Sequence, residues 1–358
     1  MRFYLLDKLI CPQCNHFPLS VKVSMQQEAR ALKVNVFPCT MYCAYNGAKL
    51  VERPPDELPC SSCLKQQIIS GELICPSCHS RYPIENGIPA LLVDLSKWVK
   101  EEQTWWDKHY TRIADQVDAL KSRKARQDVP GNRWFERNRY LFTPLKARGF
   151  QSPVLEIGSG MSQYVAGLLP PSGEHYLYIG TDVSRIALEK AAQLVPEGDF
   201  IQCDIDRMPF RRETFDVVLS LGVLHHIPHW QVNLRKLVGL LRPGGWMLFD
   251  EAIDKPRVLG RFRKQSLTAA IDSPHEGEIS FEELLDILKY EGRLINYCVK
   301  STPLRVLMVW IGGPWIERSL LLTRMMHKAD KLFMKSAGKL FKSLGGGEII
   351  GIFEKRSR

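Results

Sequence analysis

From residue 153 onward the chain repeats one unit: a short apolar run, a turn rich in glycine or carboxylate, then a helical stretch. Residues 154–157, 176–180, 200–203, 215–219 and 246–250 read as strands. Helices are expected from the glycine turn through Leu169, over 184–194 and near 230–241, with a turn at Arg242-Pro-Gly-Gly245. Strand–helix alternation at this spacing implies an α/β fold, a doubly wound Rossmann-like parallel sheet that binds its ligand at the C-terminal ends of the strands.

The strand ends say what kind of ligand. A dinucleotide site wants G-x-G-x-x-G, so that a pyrophosphate can approach a helix N-terminus. Here the third glycine position is Gln163. Instead, Glu156-Ile-Gly158-Ser159-Gly160 sets a carboxylate just ahead of the glycine turn. That suits a cationic, phosphate-free ligand, because the acid can face an ammonium group while the glycines admit it closely. Asp182 follows Gly160 by 22 residues, placed for two ribose hydroxyls, and Asp204 follows by another 22, placed for an adenine amino group. Three acids at the ends of three successive strands make a far more specific pattern than a lone G-x-G.

These stretches resemble the class I S-adenosylmethionine-dependent methyltransferases. Val154-Leu-Glu-Ile-Gly-Ser-Gly160 is similar to their first motif and Ile179-Gly-Thr-Asp-Val-Ser184 to their second. Cys203-Asp204 with Met208-Pro-Phe210 resembles the third, residues 215–227 through His225-His226-Ile227 the fourth, and Leu241-Arg-Pro-Gly-Gly245 the turn before strand five. The resemblance implies a seven-stranded sheet whose last two strands lie at 293–301 and 348–355. It also implies that Glu156, Gly158, Ser159 and Gly160 line the methionine end of the cofactor. Asp182 and Val183 would hold the ribose, Asp204 and Ile205 the adenine, with Leu221 beside them.

A sulfonium is already an activated methyl donor, so such an enzyme mainly positions a nucleophile in line with it. A hydroxyl acceptor also needs a general base, for which His225 and His226 are the candidates. The plainer alternative is that the pair shapes the pocket or caps the next helix. Strand four ends in Ser220-Leu221-Gly222 rather than Asn/Asp-Pro-Pro-Tyr, which disfavours methylation of adenine N6 or of a glutamine amide. Cys203 and Cys298 stand alone on strands and read as structural thiols rather than nucleophiles.

The other eight cysteines precede residue 79, as Cys11-Pro-Gln-Cys14, Cys39-x3-Cys43, Cys60-x2-Cys63 and Cys75-Pro-Ser-Cys78. A tight turn with two thiolates presents both sulfurs to one ion, and two such turns complete a tetrahedral site with no open position. Four pairs give one or two structural zinc ions. The spacing of the middle pairs favours nesting, with Cys39, Cys43, Cys60 and Cys63 on one ion and Cys11, Cys14, Cys75 and Cys78 on the other. Pairing of sequential neighbours remains open, and His16 and His79 are expected to be bystanders. A redox pair reads less well, since no βαβ unit follows either motif. Leu5–Cys14 and the run from Leu73 through Tyr82-Pro-Ile and Gly87-Ile-Pro to Leu92 resemble the small zinc-binding activator subunit of tRNA, rRNA and release-factor methyltransferases. A similar domain occurs alone or fused to a methyltransferase, but many versions lack the middle quartet.

The expected organisation is a zinc-binding unit over 1–95, a helical basic linker over 96–150 and a methyltransferase domain over 151–358 with an insert at 302–347. Trp98, Trp105, Trp106 and Tyr110 in the linker are expected to anchor the flanking domains to each other. Net charge is +10, with +7 in residues 121–149 and +7 in 301–358 on a mildly acidic remainder. That distribution suits an anionic partner or simply a solvated face. Within the insert, a basic amphipathic helix over 321–343 suits a lid resting on an anionic membrane surface, or packing on the domain. Trp134, Phe135 and Tyr140 among arginines suit RNA. With no signal-peptide core and no span of about 20 apolar residues, a reducing, cytoplasmic location is expected, with peripheral membrane contact through the insert. The function expected is S-adenosylmethionine-dependent methylation of an oxygen or carbon of a small or lipid-like metabolite. RNA modification is the rival, and a zinc-dependent scaffold without catalysis the third reading.

Overall fold

The computed structural model describes residues 1–28, 38–51, 59–113, 137–148, 153–162, 165, 177–253, 273–275, 277, 279–300 and 347–357. Gln163, the helix expected through Leu169, most of the 121–149 basic segment with Trp134 and Phe135, and the insert with its 321–343 helix lie outside them.

Among the described residues thirteen strands are formed: β1 (Ser20–Glu28), β2 (Tyr42–Cys43), β3 (Ala48–Lys49), β4 (Gln66–Ile74), β5 (Arg81–Glu85), β6 (Ile88–Leu91), β7 (Val154–Ile157), β8 (Tyr178–Asp182), β9 (Asp199–Cys203), β10 (Phe215–Leu221), β11 (Leu241–Ile253), β12 (Gly292–Lys300) and β13 (Gly347–Lys355). The α-helices are α1 (Cys60–Cys63), α2 (Lys97–Ile113), α3 (Thr143–Arg148), α4 (Arg185–Leu194), α5 (Trp230–Leu240) and α6 (Phe281–Glu291). Seven strands in the order β9-β8-β7-β10-β11-β13-β12 form the expected sheet, parallel except for β13, which runs antiparallel to both neighbours. All four residues of β7 are buried, as befits a central strand covered on both faces.

Local chemistry sets the helix boundaries. The Ser184 hydroxyl accepts from the Ala187 amide to start α4, which turns Ala187, Leu188 and Ala191 inward. Ser280 caps α6 in the same way, Glu282 and Glu283 sit in its first turn, and Leu284, Ile287 and Leu288 face the core. One boundary differs from expectation. Arg242-Pro-Gly-Gly245 is not a turn before strand five but a bulge inside β11, since Phe215 pairs with Leu241 and Val217 with Trp246. Gly244, at φ +74, supplies the backbone freedom that lets the chain resume pairing after the extra residues.

The N-terminal unit joins this sheet rather than standing apart. Its antiparallel strands run β1-β4-β5-β6, and β6 then pairs in parallel with β9, Ala90 opposite Gln202 and Leu91 opposite Cys203, giving eleven strands in one sheet. One buried apolar cluster includes Leu5, Leu6 and Leu9 together with Leu155, Ile201 and Phe210. No helix among the described residues is long and apolar enough to cross a membrane.

Candidate metal centre and active site

Cys11, Cys14, Cys75 and Cys78 converge at the root of the N-terminal unit, all four sulfurs within 4.8 Å of one another. Two matched knuckles bring them there. In the first, the Cys11 amide donates to His16 O (3.0 Å), the Asn15 amide to Cys11 O (2.8 Å), and Asn15 takes φ +59. In the second, Cys75 donates to Ser80 O (3.0 Å), His79 to Cys75 O (3.0 Å), and His79 takes φ +60. His16 and His79 are thus parts of the knuckle backbones. Sulfur–sulfur distances of 3.6 Å (Cys11–Cys78) and 3.5 Å (Cys14–Cys75), with the Cys78 amide 3.5 Å from the Cys75 sulfur, fit a closed tetrahedral thiolate site for structural zinc. Among the described residues this is the one group drawn so tightly. Cys39, Cys43, Cys60 and Cys63 are not drawn within that limit.

Glu156, Asp182 and Asp204 stand at or beside the C-terminal ends of the adjacent parallel strands β7, β8 and β9, which frame the candidate cleft. Gly158 and Gly160 take φ +56 and +52; a Cβ on the first would come within 2.7 Å of Val223, and one on the second would strike the Tyr110 hydroxyl. Asp182 accepts from the Gly160 amide (2.9 Å) and the Ser184 amide (2.8 Å), which ties the β7 and β8 turns together. Burial pushes its carboxyl up to about 6, with Asp107 nearby adding to the rise against those amides. Asp204 caps the short 3-10 turn Ile205–Arg207 through the Asp206 amide (2.9 Å), and burial raises it as well. Glu156 is the deepest, and accepts from the Tyr178 hydroxyl, which itself lies 2.9 Å from Ser162 Oγ. Burial lifts its carboxyl to about 8, although Tyr178 and the Arg137 charge pull the other way. Ser159 donates its amide to Thr181 O (2.8 Å), Val183 O accepts from Gln103 and Gln202, and Leu221 closes β10.

His225 and His226 fall on the 3-10 turn Leu224–His226 just beyond β10, with their rings 4.1 Å apart. Behind them stands Glu251, a residue that sequence reasoning passed over. Its carboxylate is fully buried and accepts from Ser220 Oγ (3.0 Å) and the amides of Val223 (3.2 Å), Leu224 (3.1 Å) and His225 (3.4 Å), and lies 2.9 Å from His225 Nδ1. An ionised carboxylate only accepts, so in this contact His225 Nδ1 is the donor. His226 Nδ1 contacts Ser273 Oγ at 2.8 Å.

Helix α2 roofs the cleft. Gln103 reaches Val183 O (3.1 Å), Asp107 accepts from the Ser184 hydroxyl (2.5 Å), and Trp106 meets His226 edge-on at 5.4 Å while stacking on Tyr110. Buried Glu102 accepts from Trp106 Nε1 and the His275 amide, both at 2.9 Å. The tryptophans therefore differ from expectation: Trp106 belongs to the cleft, and only Trp98 packs on the buried cluster that both units share. The missed signal for Glu251 was the acid pair Asp250-Glu251 closing an apolar strand. For α2 it was a carboxylate or glutamine every turn beside the tryptophans.

The strand order, the acids at successive strand ends and the glycine cradle define a class I methyltransferase-type domain. Residues 155–249 match the family model described as methyltransferase domain, and residues 2–87 that of Trm112p-like protein. The chain thus joins a class I S-adenosylmethionine-dependent methyltransferase domain to an N-terminal Trm112p-like zinc-binding domain. It is similar to phthiotriol/phenolphthiotriol dimycocerosates methyltransferase 1 of Mycobacterium ulcerans (strain Agy99), 35% identical over 103 residues, 27% of this chain and 36% of that protein. The corresponding enzyme of Mycobacterium leprae (strain TN) is 29% identical over 133 residues, 36% of this chain and 47% of its own length. The chain spans between about a third and half the length of these curated relatives. A Haemonchus contortus phosphoethanolamine N-methyltransferase 2 in complex with S-adenosyl-L-methionine aligns with a TM-score of 0.47 at 17% identity, over 78% of this chain and 62% of that one.

Proposed function

We propose that this chain is an S-adenosylmethionine-dependent methyltransferase whose acceptor is an oxygen or acidic carbon of a small or lipid-like metabolite. The observation that carries this reading is the His225–Glu251 pair, at 2.9 Å, beside the strand ends where the cofactor belongs. The residues present fit that cofactor. The two glycines leave a cradle that a Cβ would fill, Asp182 and Asp204 offer acceptors for hydroxyls and an amino group, and Glu156 offers a carboxylate for an ammonium group. When bound, S-adenosylmethionine supplies a methyl group already activated on a sulfonium. The chain's own part is to orient and to take a proton. His225 would receive the acceptor's proton at Nε2, and Glu251 would stabilise the resulting imidazolium through Nδ1. Trp106 and Tyr110 present aromatic faces suited to an apolar acceptor, and their helix excludes water from the reacting centre. A neutral amine acceptor would need no such base. The lipid-related names of the relatives support the same acceptor class.

The test is methyl transfer from labelled S-adenosylmethionine by the purified chain into extract of source cells lacking its gene, followed by partition. Label in the organic or small-molecule fraction is expected. Label in nuclease-sensitive material would overturn the acceptor class and leave RNA. No transfer together with no cofactor binding would overturn the enzyme reading itself.

A further inference from the structure

We propose that Glu102 is the positioning residue of the acceptor wall: it closes a circuit of contacts that sets the His226 side chain and the Trp106 face together. What the wall receives rests on the acceptor site proposed above; the circuit itself runs through named atoms. Trp106 Nε1 donates to Glu102 Oε2 (2.9 Å), one turn earlier on α2. The Trp106 ring meets His226 at 5.4 Å, its plane at 87° to the imidazole. From the other side, His226 Nδ1 lies 2.8 Å from Ser273 Oγ. Two residues further on, the His275 amide donates back to Glu102 Oε1 (2.9 Å).

A carboxylate suits this place as no amide can. An indole N–H and a backbone N–H only donate, and here they use different oxygens of a side chain that is 4% exposed. An amide would turn its own N–H on one of them and leave buried donors facing each other. Helix α2 also holds His275 through Glu101, 2.8 Å from Nε2, but that pair is partly open to water, where ion pairs contribute little. The buried Glu102 therefore decides how residues 273–275 sit on α2. The two histidine side chains thus answer to separate carboxylates. Glu251 holds His225 directly, and Glu102 holds His226 through Trp106 and Ser273.

The test uses full-length chain carrying isotope-labelled histidine, with the pair assigned from His225→Gln and His226→Gln. In Glu102→Gln the His226 ring resonances should shift while those of His225 stay, and calorimetric affinity for S-adenosylhomocysteine should be unchanged. Methyl transfer into the organic fraction, followed over a dilution series of acceptor extract, should need about tenfold more extract for half-maximal rate, the scale of one lost hydrogen bond to a charged group. The plateau should be nearly kept. Trp106→Phe removes the indole donor and frees the amide oxygen for His275, so adding Glu102→Gln to it should change both readouts far less. Should Glu102→Gln alone fail to fold, Trp106→Phe should restore folding. Failure of the pair where Trp106→Phe alone folds would overturn the proposal. So would His226 resonances that stay in place, or that move together with those of His225, which would leave Glu102 as a plain tie between α2 and residues 273–275. An unsubstituted chain that transfers no methyl would overturn the acceptor reading instead, while the His226 resonances still decide the circuit.

Discussion

The wall of the cleft that begins at Asp204 is held largely by main-chain pairing with the N-terminal unit, whereas the wall bearing His225 and His226 is held largely by side-chain contacts. On the first, Leu9 bridges Phe210, Ile10 donates to Pro209 O and Arg211 to Lys8 O, while Gln13, inside the first cysteine knuckle, meets Arg207 at 3.4 Å. On the second, α2 and residues 273–279 are latched by His275 to Glu101 and Glu102, Ser273 to His226, and the Gly277 amide to His225 O. Backbone pairing tolerates almost any side chain but fixes a loop in one register. Side-chain latches demand particular residues yet release together when the wall moves. A more rigid half on the first side and a more adjustable half on the second would suit an invariant cofactor and a variable acceptor respectively.

Breaking the rigid half should have the largest effect. Asp7→Ala removes the acceptor for Lys8, Arg211 and the 40–42 amides while leaving Lys8 buried. Truncating one partner of a buried ion pair typically costs about 3–5 kcal/mol. The variant should therefore unfold at markedly lower urea and bind cofactor more weakly, with the first cysteine quartet still holding its metal. An unchanged midpoint would show that the main-chain pairings, β6–β9 among them, join the units without Asp7.

On the adjustable half the effect should be on rate rather than affinity. Glu251→Gln keeps the shape but withdraws the negative charge behind His225 and disturbs four other donors. We expect kcat to fall about a hundredfold, the lower end of what a general base contributes, with cofactor affinity nearly unchanged. Trp106→Ala should instead raise KM for the acceptor with a smaller change in kcat. Equal losses in both variants would erase the distinction between proton-handling and acceptor-holding groups on this wall.

How far the residues could be read in advance follows the same division. The strand runs, the glycine turn and Asp182 and Asp204 are local signals, each written in a few consecutive residues, and β7 to β10 formed within two residues of where the pattern put them, whereas β11 begins five residues earlier than expected. Glu251 and α2 act on His225 and on Val183 from far along the chain, so no window of sequence holds both partners. Glu156 was legible as an acid at a strand end but not as one hydrogen-bonded by Tyr178, because that contact is made across two paired strands. The cysteine knuckles were legible as pairs, and the spacing of the middle pairs also favoured the nesting that brings Cys11 and Cys14 to Cys75 and Cys78, which β4 and β5 accomplish by returning the chain.

Glu156 gives the smallest and most diagnostic effect, since it titrates where the cofactor's cationic end would bind. Its carboxyl, near 8 in the folded protein against an ordinary 4.5, is set by burial, with Tyr178 and Arg137 opposing and Asp182 reinforcing. Between those two values the folded chain binds more protons than the unfolded one, so stability without ligand falls as pH rises through 8. A cationic ligand favours the ionised acid, which reverses the sense for binding. Cofactor affinity should strengthen by up to about tenfold per pH unit below 8, with proton release near neutrality visible as a buffer-dependent heat in calorimetry. Glu156→Gln should flatten that dependence while leaving the contribution of Asp182, raised only to about 6, at the acidic end. A wild-type affinity that does not vary between pH 6.5 and 8 would mean that the ammonium end is held elsewhere, and that Glu156 and Tyr178 serve only to tie β7 to β8.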